Sequence, residues 1–414
     1  MTLYAHQKAI LADDPVKTGL WLGTGSGKTR TALLLARGKT LVICPKTQYE
    51  DKNWQREAIS LGINIPIEVI SKEKFRSTWK EIPRYDTVIV DEAHTCLGVT
   101  PGTRTKNGEV IPRTSQLFEA LDAYMRRTKP ERLYLCTATI MKSPMTVWGA
   151  AKILGKLNNE SFLRFRAKFY TRLPMPGRDV YAPRSDNASK EALAKFVKKL
   201  GYVGRLEDFF DVPEQTFKKH YIELTEPQKK RLKDISLEYP DPIVQIGKKH
   251  QIENGVLSSG SFLEDEVFPS NKIDALLDYA IEFPRMVVFA KYTAQIRQIQ
   301  EALTKAGKKV LTMTGETKDR GALIKEANES KECVFLCQAQ ISAGWELPEY
   351  PVMIFASRTY SFVDYDQALG RIQRANNIKK NLYITLVVRG GIDEAVDKSL
   401  ANKCDFNEKL YANK

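Results

Sequence analysis

The chain has 414 residues, of which 43% are hydrophobic and 28% are charged, and a single hydrophobic core does not accommodate this length, so we expect two domains. The ordinary numbers of glycine (24) and proline (19) exclude collagen-like and disordered chains. The sequence has no apolar run of about 18 to 20 residues, the length that spans a bilayer, and no signal-peptide pattern at its start. We therefore expect a cytoplasmic protein without a membrane partner.

The formal charge of +14 is the most informative part of the composition. An excess of lysine and arginine is typical of surfaces that bind polyanions, so nucleic acid is the expected partner. A basic surface that serves only solubility is the alternative that charge alone leaves open. The six cysteines are scattered, and Cys333 and Cys337 lack the second ligand pair of a zinc site, so buried thiols are expected.

Short apolar segments alternate with amphipathic helical stretches along the whole chain. Short segments that are apolar throughout are typical of parallel strands buried on both faces. The fold class is therefore predicted as α/β with two parallel sheets. The predicted strands of the first sheet are 41–44, 66–70, 86–91 and 132–137, and those of the second are 286–290, 309–313, 333–337, 352–356 and 382–388.

Residues 144–268 differ from both series, because they combine helical spacing with proline-rich breaks at 174–183 and 240–242. We interpret this stretch as a connecting region. Ser270 can cap a helix whose apolar residues repeat at helical spacing, and that helix would open the second domain. The boundary is therefore predicted near residue 268.

The strongest chemical signal is LGTGSGKT at residues 22–29, which precedes a helical stretch. In such a loop the backbone N–H groups turn toward phosphates, the lysine bridges the β and γ phosphates, and the threonine binds Mg²⁺. The pattern predicts ATP and Mg²⁺ as ligands. The residues concerned are Gly23, Thr24, Gly25, Ser26, Gly27, Lys28 and Thr29.

An apolar strand that ends in acid follows downstream, DTVIVDEAH at residues 86–94. At the tip of a parallel strand, Asp91 would hold Mg²⁺ through water, and Glu92 would orient and deprotonate the attacking water. The order of the two motifs predicts ATP hydrolysis.

Four segments occur in the order found in superfamily 2 helicases and translocases: GTGSGKT, DEAH, TAT at 137–139 and QALGRIQR at 367–374. Within this superfamily the chain most resembles the compact phage or bacterial versions of the Swi/Snf-type duplex-DNA translocases, for example in LVICPKTQYEDKNW and AGWELP. The resemblance implies two tandem RecA-like domains, at 1–225 and 269–414, and a helical connector at 226–268.

The resemblance also implies roles for individual residues around the nucleotide. Gln7 would read the adenine edge, and Gly344 and Glu346 would lie beside the nucleotide. Arg371 and Arg374 would share one helical face and act as arginine fingers on the γ-phosphate. In addition, Thr137 and Thr139 would couple the nucleotide site to the nucleic-acid track.

The expected nucleic-acid contacts grip phosphates without reading bases. The residues best placed for this are Lys46, Thr47, Lys291, Gly315 and Thr317. The loop at 98–114 adds basic residues directly after DEAH and is predicted as a hairpin or a mobile flap. Either duplex contact or a solvated loop would account for its charges.

The resulting functional prediction is a monomeric, DNA-stimulated ATPase that moves along duplex DNA. One alternative is a strand-separating or branch-migrating helicase that acts on forked DNA or on RNA. The other is a non-catalytic clamp that ATP locks onto nucleic acid. Glu92 and the two arginines favour a motor over a clamp.

Overall fold

The computed structural model describes residues 3–106, 109–138, 140–175, 178–210, 215–259, 264–342, 344–373, 380–402 and 406. The chain divides into two compact units, Met1–Asp211 and Val212–Lys414. No helix in these described stretches is long and apolar enough to cross a membrane.

The first unit contains strands and helices in alternation. Its strands are β1 Lys17–Leu22, β2 Thr40–Cys44, β3 Ile67–Ser71, β4 Thr87–Val90, β5 Val99–Lys106, β6 Glu109–Thr114, β7 Arg132–Cys136, β8 Tyr170–Met175, β9 Arg178–Pro183 and β10 Gly201–Gly204. Its helices are α1 Ala5–Asp13, α2 Lys28–Leu35, α3 Lys46–Glu50, α4 Asn53–Ser60, α5 Lys72–Thr78, α6 Gln116–Thr128, α7 Pro144–Ile153, α8 Phe162–Phe169 and α9 Asn187–Leu200.

Six of these strands form one parallel sheet in the order β10-β1-β7-β4-β2-β3. Both faces of the sheet are covered, because Leu41 and Ile43 of β2 enter one apolar cluster while Val42 and Cys44 enter another. This two-sided burial explains why the predicted strands are apolar throughout. β1 and β10 were not predicted as strands. β10, GYVG, is short and glycine-rich, which weakens the strand signal.

Two antiparallel hairpins extend this unit, β5 with β6 and β8 with β9. The first confirms the hairpin predicted within 98–114. Arg166 of α8 connects the two hairpins. Its Nη1 donates to the carbonyl of Pro101 in β5 at 2.9 Å, and its guanidinium lies 4.3 Å from the centre of the Tyr181 ring in β9. The Arg104 guanidinium is paired with Glu119.

The second unit has the same alternation. Its strands are β11 Thr216–Ile222, β12 Val256–Leu257, β13 Glu266–Val267, β14 Arg285–Ala290, β15 Val310–Met313, β16 Cys333–Gln338, β17 Val352–Phe355 and β18 Leu382–Val388. Its helices are α10 Glu226–Glu238, α11 Pro242–Glu253, α12 Asn271–Glu282, α13 Thr293–Lys305, α14 Arg320–Glu329, α15 Phe362–Leu369 and α16 Ile392–Ala401.

Six strands of this unit form a second parallel sheet in the order β11-β18-β17-β14-β16-β15. Alternate residues of β14 again enter two apolar clusters, with Val288 on one face and Phe289 on the other. The prediction of two parallel α/β sheets, of RecA-like type, is confirmed. The cysteines Cys44, Cys96, Cys136, Cys333 and Cys337 are buried and free, as expected.

The boundary between the units differs from the predicted one. β11 pairs with β18 along its whole length, so residues 216–222 belong to the second unit and not to the domain predicted at 1–225. The segment predicted as a separate connector, 226–268, also folds within the second unit. There Gln228 Nε2 donates to the carbonyl of Ile252 at 2.6 Å, and Glu253 accepts from the backbone N–H of Ile392 at 2.7 Å.

A buried polar network holds three helices of the second unit together. The Lys272 ammonium on α12 donates to Asp393 Oδ2 on α16 at 2.6 Å and to Asn254 Oδ1, just after α11, at 2.6 Å. His250 Nε2 on α11 lies 3.0 Å from Asp393 Oδ1. Burial alone would raise the pKa of Asp393, but the Lys272 and His250 side chains hold that pKa below its ordinary value. Ser270 caps α12, as predicted, by accepting from the N–H of Lys272.

We expect Asp393→Asn to destabilise the second unit, because it leaves the buried Lys272 ammonium without its acid. Breaking a buried ion pair from one side costs about 3–5 kcal/mol of unfolding free energy. Urea denaturation, with hydrogen exchange of β14 and β17 to report on this unit, measures the loss. The matched control is Lys398→Ala on the same helix, whose exposed pair with Glu394 contributes at most about 0.5 kcal/mol. Equal losses in the two variants would contradict the role given to the network.

Candidate active site

The glycine-rich loop connects the end of β1 at Leu22 to the start of α2 at Lys28. Gly25 and Gly27 have φ angles of +79° and +80°, a left-handed conformation that glycine adopts without steric cost. A Cβ atom at Gly27 would lie 2.5 Å from Gln7 Nε2, so the position also lacks space for a side chain. The first N–H groups of α2 have no partner within the helix, which makes this end of the helix suited to phosphate.

The side chains of the loop fold back onto its own backbone. The Lys28 ammonium donates to the carbonyls of Leu22 at 2.8 Å and Gly23 at 3.0 Å, and the Ser26 hydroxyl donates to the Gly23 carbonyl at 2.6 Å. Thr29 follows at the second position of α2 and is half-buried. The Lys28 ammonium thus lies within the loop, where a triphosphate would bind, and Thr29 is the next residue in the first turn of α2.

Gln7 and His6 on α1 support the loop by hydrogen bonds to its backbone. The Gln7 side chain is fully buried, and its amide donates to the carbonyl of Gly27 and to the hydroxyl of Thr31, both at 3.3 Å. His6 Nε2 donates to the carbonyl of Ser26 at 2.9 Å, and its ring stacks on Phe209 with the centroids 3.9 Å apart. The structure therefore places Gln7 against the loop, as a support for its conformation. Contact of Gln7 with adenine stays a prediction.

The acidic motif and the loop follow parallel strands, β4 and β1, so both lie at the carboxyl edge of the sheet. They are also close along that edge, because β7 alone separates β4 from β1. Asp91 follows β4 and is buried: its Oδ2 accepts from the indole N–H of Trp54 at 3.2 Å and its Oδ1 from the N–H of Glu92 at 2.9 Å. Burial and the neighbouring Glu92 carboxylate raise the pKa of Asp91 to about 6, while Lys72 and Trp54 act in the opposite direction.

The thiol of Cys136, at the end of β7, reports that the two motifs are close. Burial and then the Asp91 carboxylate raise the pKa of this thiol, the Lys28 ammonium lowers it, and Glu92 raises it again. Cys136 pairs with Leu20 of β1, and its neighbour Leu135 pairs with Val90 of β4, so the loop and the acidic motif follow the ends of strands on either side of β7. This is the arrangement that hydrolysis of a bound triphosphate requires.

Glu92 has an unusual backbone and a defined set of neighbours. Its φ angle is +42°, which is uncommon for a residue with a side chain. Its Oε2 lies 3.4 Å from His94 Nδ1, which in turn lies 2.8 Å from the hydroxyl of the fully buried Thr137. Thr137 thus connects the end of β7 to the acidic motif, consistent with its expected position. Thr139 lies outside the described residues.

Two residues that contact the acidic motif were given no role from the sequence. Trp54 belongs to a segment quoted for the family resemblance, and a buried indole N–H needs an acceptor, which is a usable signal. Lys72, the first residue of α5, donates to the carbonyl of Glu92 at 2.9 Å. Nothing in the sequence around Lys72 distinguishes it from a surface lysine.

The nucleotide residues expected in the second unit are only partly described. α15 ends at Leu369, so Arg371 lies in the turn that follows the helix, and the helical face that it was expected to share with Arg374 stays a prediction. The Arg371 guanidinium is buried and donates to the carbonyls of Gln367 and Trp345, both at 2.8 Å. Arg374 lies outside the described residues.

Gly344 and Glu346 lie after β16 in the second unit. Gly344 has a φ angle of +88°, so the turn requires glycine there. The Glu346 side chain is exposed, and the backbone carbonyl of Glu346 accepts from Asn328 Nδ2 at 3.4 Å. Their contact with a nucleotide stays a prediction.

The expected nucleic-acid residues all follow strands at the carboxyl edge of their own sheet, where ligands of open α/β folds bind. Lys46 and Thr47 begin α3 after β2, and the exposed Lys46 pairs with Glu50 at 3.6 Å. Lys291 follows β14, and its ammonium lies 3.1 Å from the centre of the Tyr360 ring.

Gly315 and Thr317 form a turn after β15 in the second unit. The Gly315 N–H donates to Gln338 Oε1 at 3.1 Å, and the Thr317 hydroxyl accepts from the Thr314 N–H at 3.0 Å. Gln338, which positions this turn from the end of β16, was not singled out from the sequence.

The residues present fit ATP with Mg²⁺ better than a metal held by the protein alone. No group of three or more His, Cys, Asp or Glu side chains suited to a metal occurs among the described residues. Mg²⁺ in phosphate-binding sites usually takes one or two protein ligands and completes its shell with phosphate oxygens and water. Thr29 would be one such ligand, and Asp91 would hold the ion through water. Fold and site together define a P-loop ATP hydrolase.

Comparison with known proteins agrees with this class and extends it. Residues 271–376, about a quarter of the chain, match the helicase conserved C-terminal domain. Together with the phosphate loop and the DEAH segment of the first unit, this match confirms the resemblance to superfamily 2 helicases and the predicted enzyme class, an ATP hydrolase. The function that this match supports is that of a nucleic-acid-dependent ATPase. No curated protein matches the sequence.

Two solved structures are similar to the chain at low identity. One is the Sulfolobus solfataricus SWI2/SNF2 ATPase core in complex with dsDNA, with 18% identity, a TM-score of 0.41, and coverage of 100% of this chain and 92% of that chain. The other is the C-terminal part of the Fun30 ATPase domain, with 17% identity, a TM-score of 0.41, and coverage of 49% and 95%.

We expect Lys28→Ala to lower ATP turnover at least about a hundredfold, because the variant loses the cation that compensates charge on the transferring phosphate. Fold and nucleic-acid affinity should persist, since the ammonium lies within the loop. Steady-state ATPase assays and circular dichroism measure both. Lys17→Ala, an exposed lysine on β1, is the control. Turnover in Lys28→Ala equal to that of the control would remove the phosphate-loop assignment.

Proposed function

We propose that the protein is a DNA-stimulated ATPase that moves along duplex DNA, of the Swi/Snf-like type. The observation that carries the proposal is the convergence of the loop with Lys28 and the motif with Asp91 and Glu92 at the ends of strands on either side of β7, in a chain whose residues 271–376 match the helicase conserved C-terminal domain. The convergence supports hydrolysis, and the helicase domain supports nucleic acid as the activator.

The division of labour at the nucleotide follows from the chemistry of each group. The loop N–H groups and Lys28 hold the phosphates, Thr29 and Asp91 hold Mg²⁺, and Glu92 takes the proton of the attacking water. Bound Mg²⁺ would neutralise the charge that develops on the phosphates. Gln7 supports the loop and is retained as the adenine contact.

Arginine fingers from the second unit remain part of the proposal. Arg371 and Arg374 are the candidates, with Gly344 and Glu346 beside the nucleotide. A finger of this kind contributes roughly 10³ to 10⁵ in rate in related phosphoryl transfer. Contact with the γ-phosphate from a separate unit would tie motion of the units to turnover, which is how hydrolysis would drive translocation.

The proposed track is the phosphate backbone of duplex DNA. The net charge of +14 supports a polyanion, and Lys46, Thr47, Lys291, Gly315 and Thr317 are hydrogen-bond donors or cations suited to phosphate. The basic hairpin β5–β6 is an additional candidate contact. Resemblance of several sequence segments to the Swi/Snf-type enzymes favours an intact duplex over separated strands.

The decisive experiment compares ATP turnover without nucleic acid and with saturating duplex DNA, single-stranded DNA or duplex RNA. We expect duplex DNA to raise turnover at least about tenfold, because the activator should complete the hydrolytic geometry. Triplex displacement should occur, and displacement of a strand from forked DNA should not. Stimulation by RNA or unwinding of forks would favour the helicase alternative. A lack of stimulation by any of them would favour the clamp.

We expect DNA affinity to fall steeply with salt, because counterion release dominates binding to the phosphate backbone. Each phosphate contact adds about 0.9 to the slope of log affinity against log salt concentration. Lys291→Ala should therefore reduce that slope by about one contact in anisotropy titrations. The control is Lys305→Ala, an exposed lysine at the end of α13, which should leave the slope unchanged. An unchanged slope in Lys291→Ala would remove this residue from the track.

A further inference from the structure

Lys72 is a buried cation in an electrostatically unfavourable place. Only 6% of its surface is exposed, and it occupies the first position of α5, where the helix dipole disfavours positive charge. Burial of an ammonium is costly unless the group is hydrogen-bonded. Its placement therefore requires compensating contacts.

Those contacts lie at the acidic motif and not on the helix that carries Lys72. Lys72 follows β3 and Glu92 follows β4, and β2 lies between these two strands, so the contact joins segments that leave the sheet on either side of β2. Its ammonium donates to the carbonyl of Glu92 at 2.9 Å and to the hydroxyl of Thr95 at 2.6 Å. A shorter side chain at this position would not reach the motif.

The carbonyl that Lys72 holds belongs to the residue with the unusual backbone. The Glu92 peptide has φ +42° and ψ 52°, a left-handed conformation that costs about 1–2 kcal/mol for a residue with a Cβ atom. The Thr95 hydroxyl donates to the same carbonyl at 3.0 Å. The Thr95 backbone N–H also donates to it, at 3.1 Å. Three donors on one oxygen fix the orientation of this peptide, and the peptide determines where the Glu92 side chain leaves the backbone.

The charge of Lys72 acts on the same motif. Two consecutive carboxylates, Asp91 and Glu92, repel each other at the end of β4, and a nearby cation reduces that repulsion. Burial raises the pKa of Asp91 and of the thiols Cys44 and Cys96, and the Lys72 ammonium opposes each of these shifts. It therefore lies close to the whole motif.

We propose that Lys72 is a positioning residue for ATP hydrolysis: it holds the Glu92 peptide in its left-handed conformation, so that the Glu92 carboxylate faces the attacking water. Lys72 acts through Glu92 and does not touch the nucleotide. The inference rests on the proposed role of Glu92 in hydrolysis.

The test is the steady-state kinetics of Lys72→Met with saturating duplex DNA. Methionine preserves the length of the side chain and removes both hydrogen bonds and the charge. We expect kcat to fall at least about tenfold while the KM for ATP changes less than about twofold, since binding at the loop is untouched. Lys72→Arg should recover part of kcat. Lys74→Met, an exposed lysine on the same helix, should match the wild type.

Thr95→Val keeps the test decisive if Lys72→Met does not fold, because Thr95 is exposed and its loss should be tolerated. This variant removes one donor to the Glu92 carbonyl and one acceptor of Lys72, so kcat should fall severalfold at constant KM. Where both variants fold, their effects on kcat should be less than multiplicative, since they act on one carbonyl.

Glu92→Gln separates failure of this inference from failure of the proposed function. If Glu92→Gln abolishes hydrolysis while Lys72→Met and Thr95→Val have wild-type kcat, Lys72 is only structural. If kcat and the thermal midpoint fall while the KM for ATP rises, the residue supports the fold and not the position of Glu92. If Glu92→Gln hydrolyses ATP normally, the assignment of the base fails instead.

Discussion

The active site depends on the parallel register of three neighbouring strands, β1, β7 and β4. Leu135 of β7 pairs with Gly19 of β1 and with Val90 of β4, so the three strands reach the sheet edge almost together. The residues that follow them, in the glycine-rich loop, at Thr137 and at Asp91, therefore emerge side by side. Backbone hydrogen bonds between strands, and not contacts between catalytic side chains, bring a lysine and two carboxylates together from distant parts of the chain.

This register concentrates negative charge in a buried place, which has to be compensated. An ionised carboxylate loses hydration on burial, and a second carboxylate beside it adds repulsion. Two donors compensate this charge: the indole N–H of Trp54 on α4, which binds Asp91, and the ammonium of Lys72 on α5, which binds the Glu92 carbonyl. Both donors come from helices that follow neighbouring strands of the same sheet. The helices thus supply the electrostatic environment that the motif itself lacks.

Buried charge has a different consequence in the second unit, where it organises the fold. Lys272, Asp393 and His250 come from three helices, and each satisfies another in the interior. A buried ion is stable only when its partners are in place, so α11, α12 and α16 are expected to order together. This dependence, with the pairing of β11 to β18, explains why the stretch that reads as a connector folds as part of the second unit.

The sequence by itself determined the α/β class, the strands that are buried on both faces, the phosphate loop and the acidic motif. Each of these is encoded locally, in an apolar run or in glycines and charges at fixed spacing. Edge strand β11 was missed because its first six residues are all exposed or partly exposed and polar or aromatic, without an apolar run. The burial of Gln7 under the loop and the reach of Lys72 across β2 were decided by the tertiary structure alone. A flexible lysine side chain can end in water or on a carbonyl two strands away, and only the packing of the strands around it selects between them.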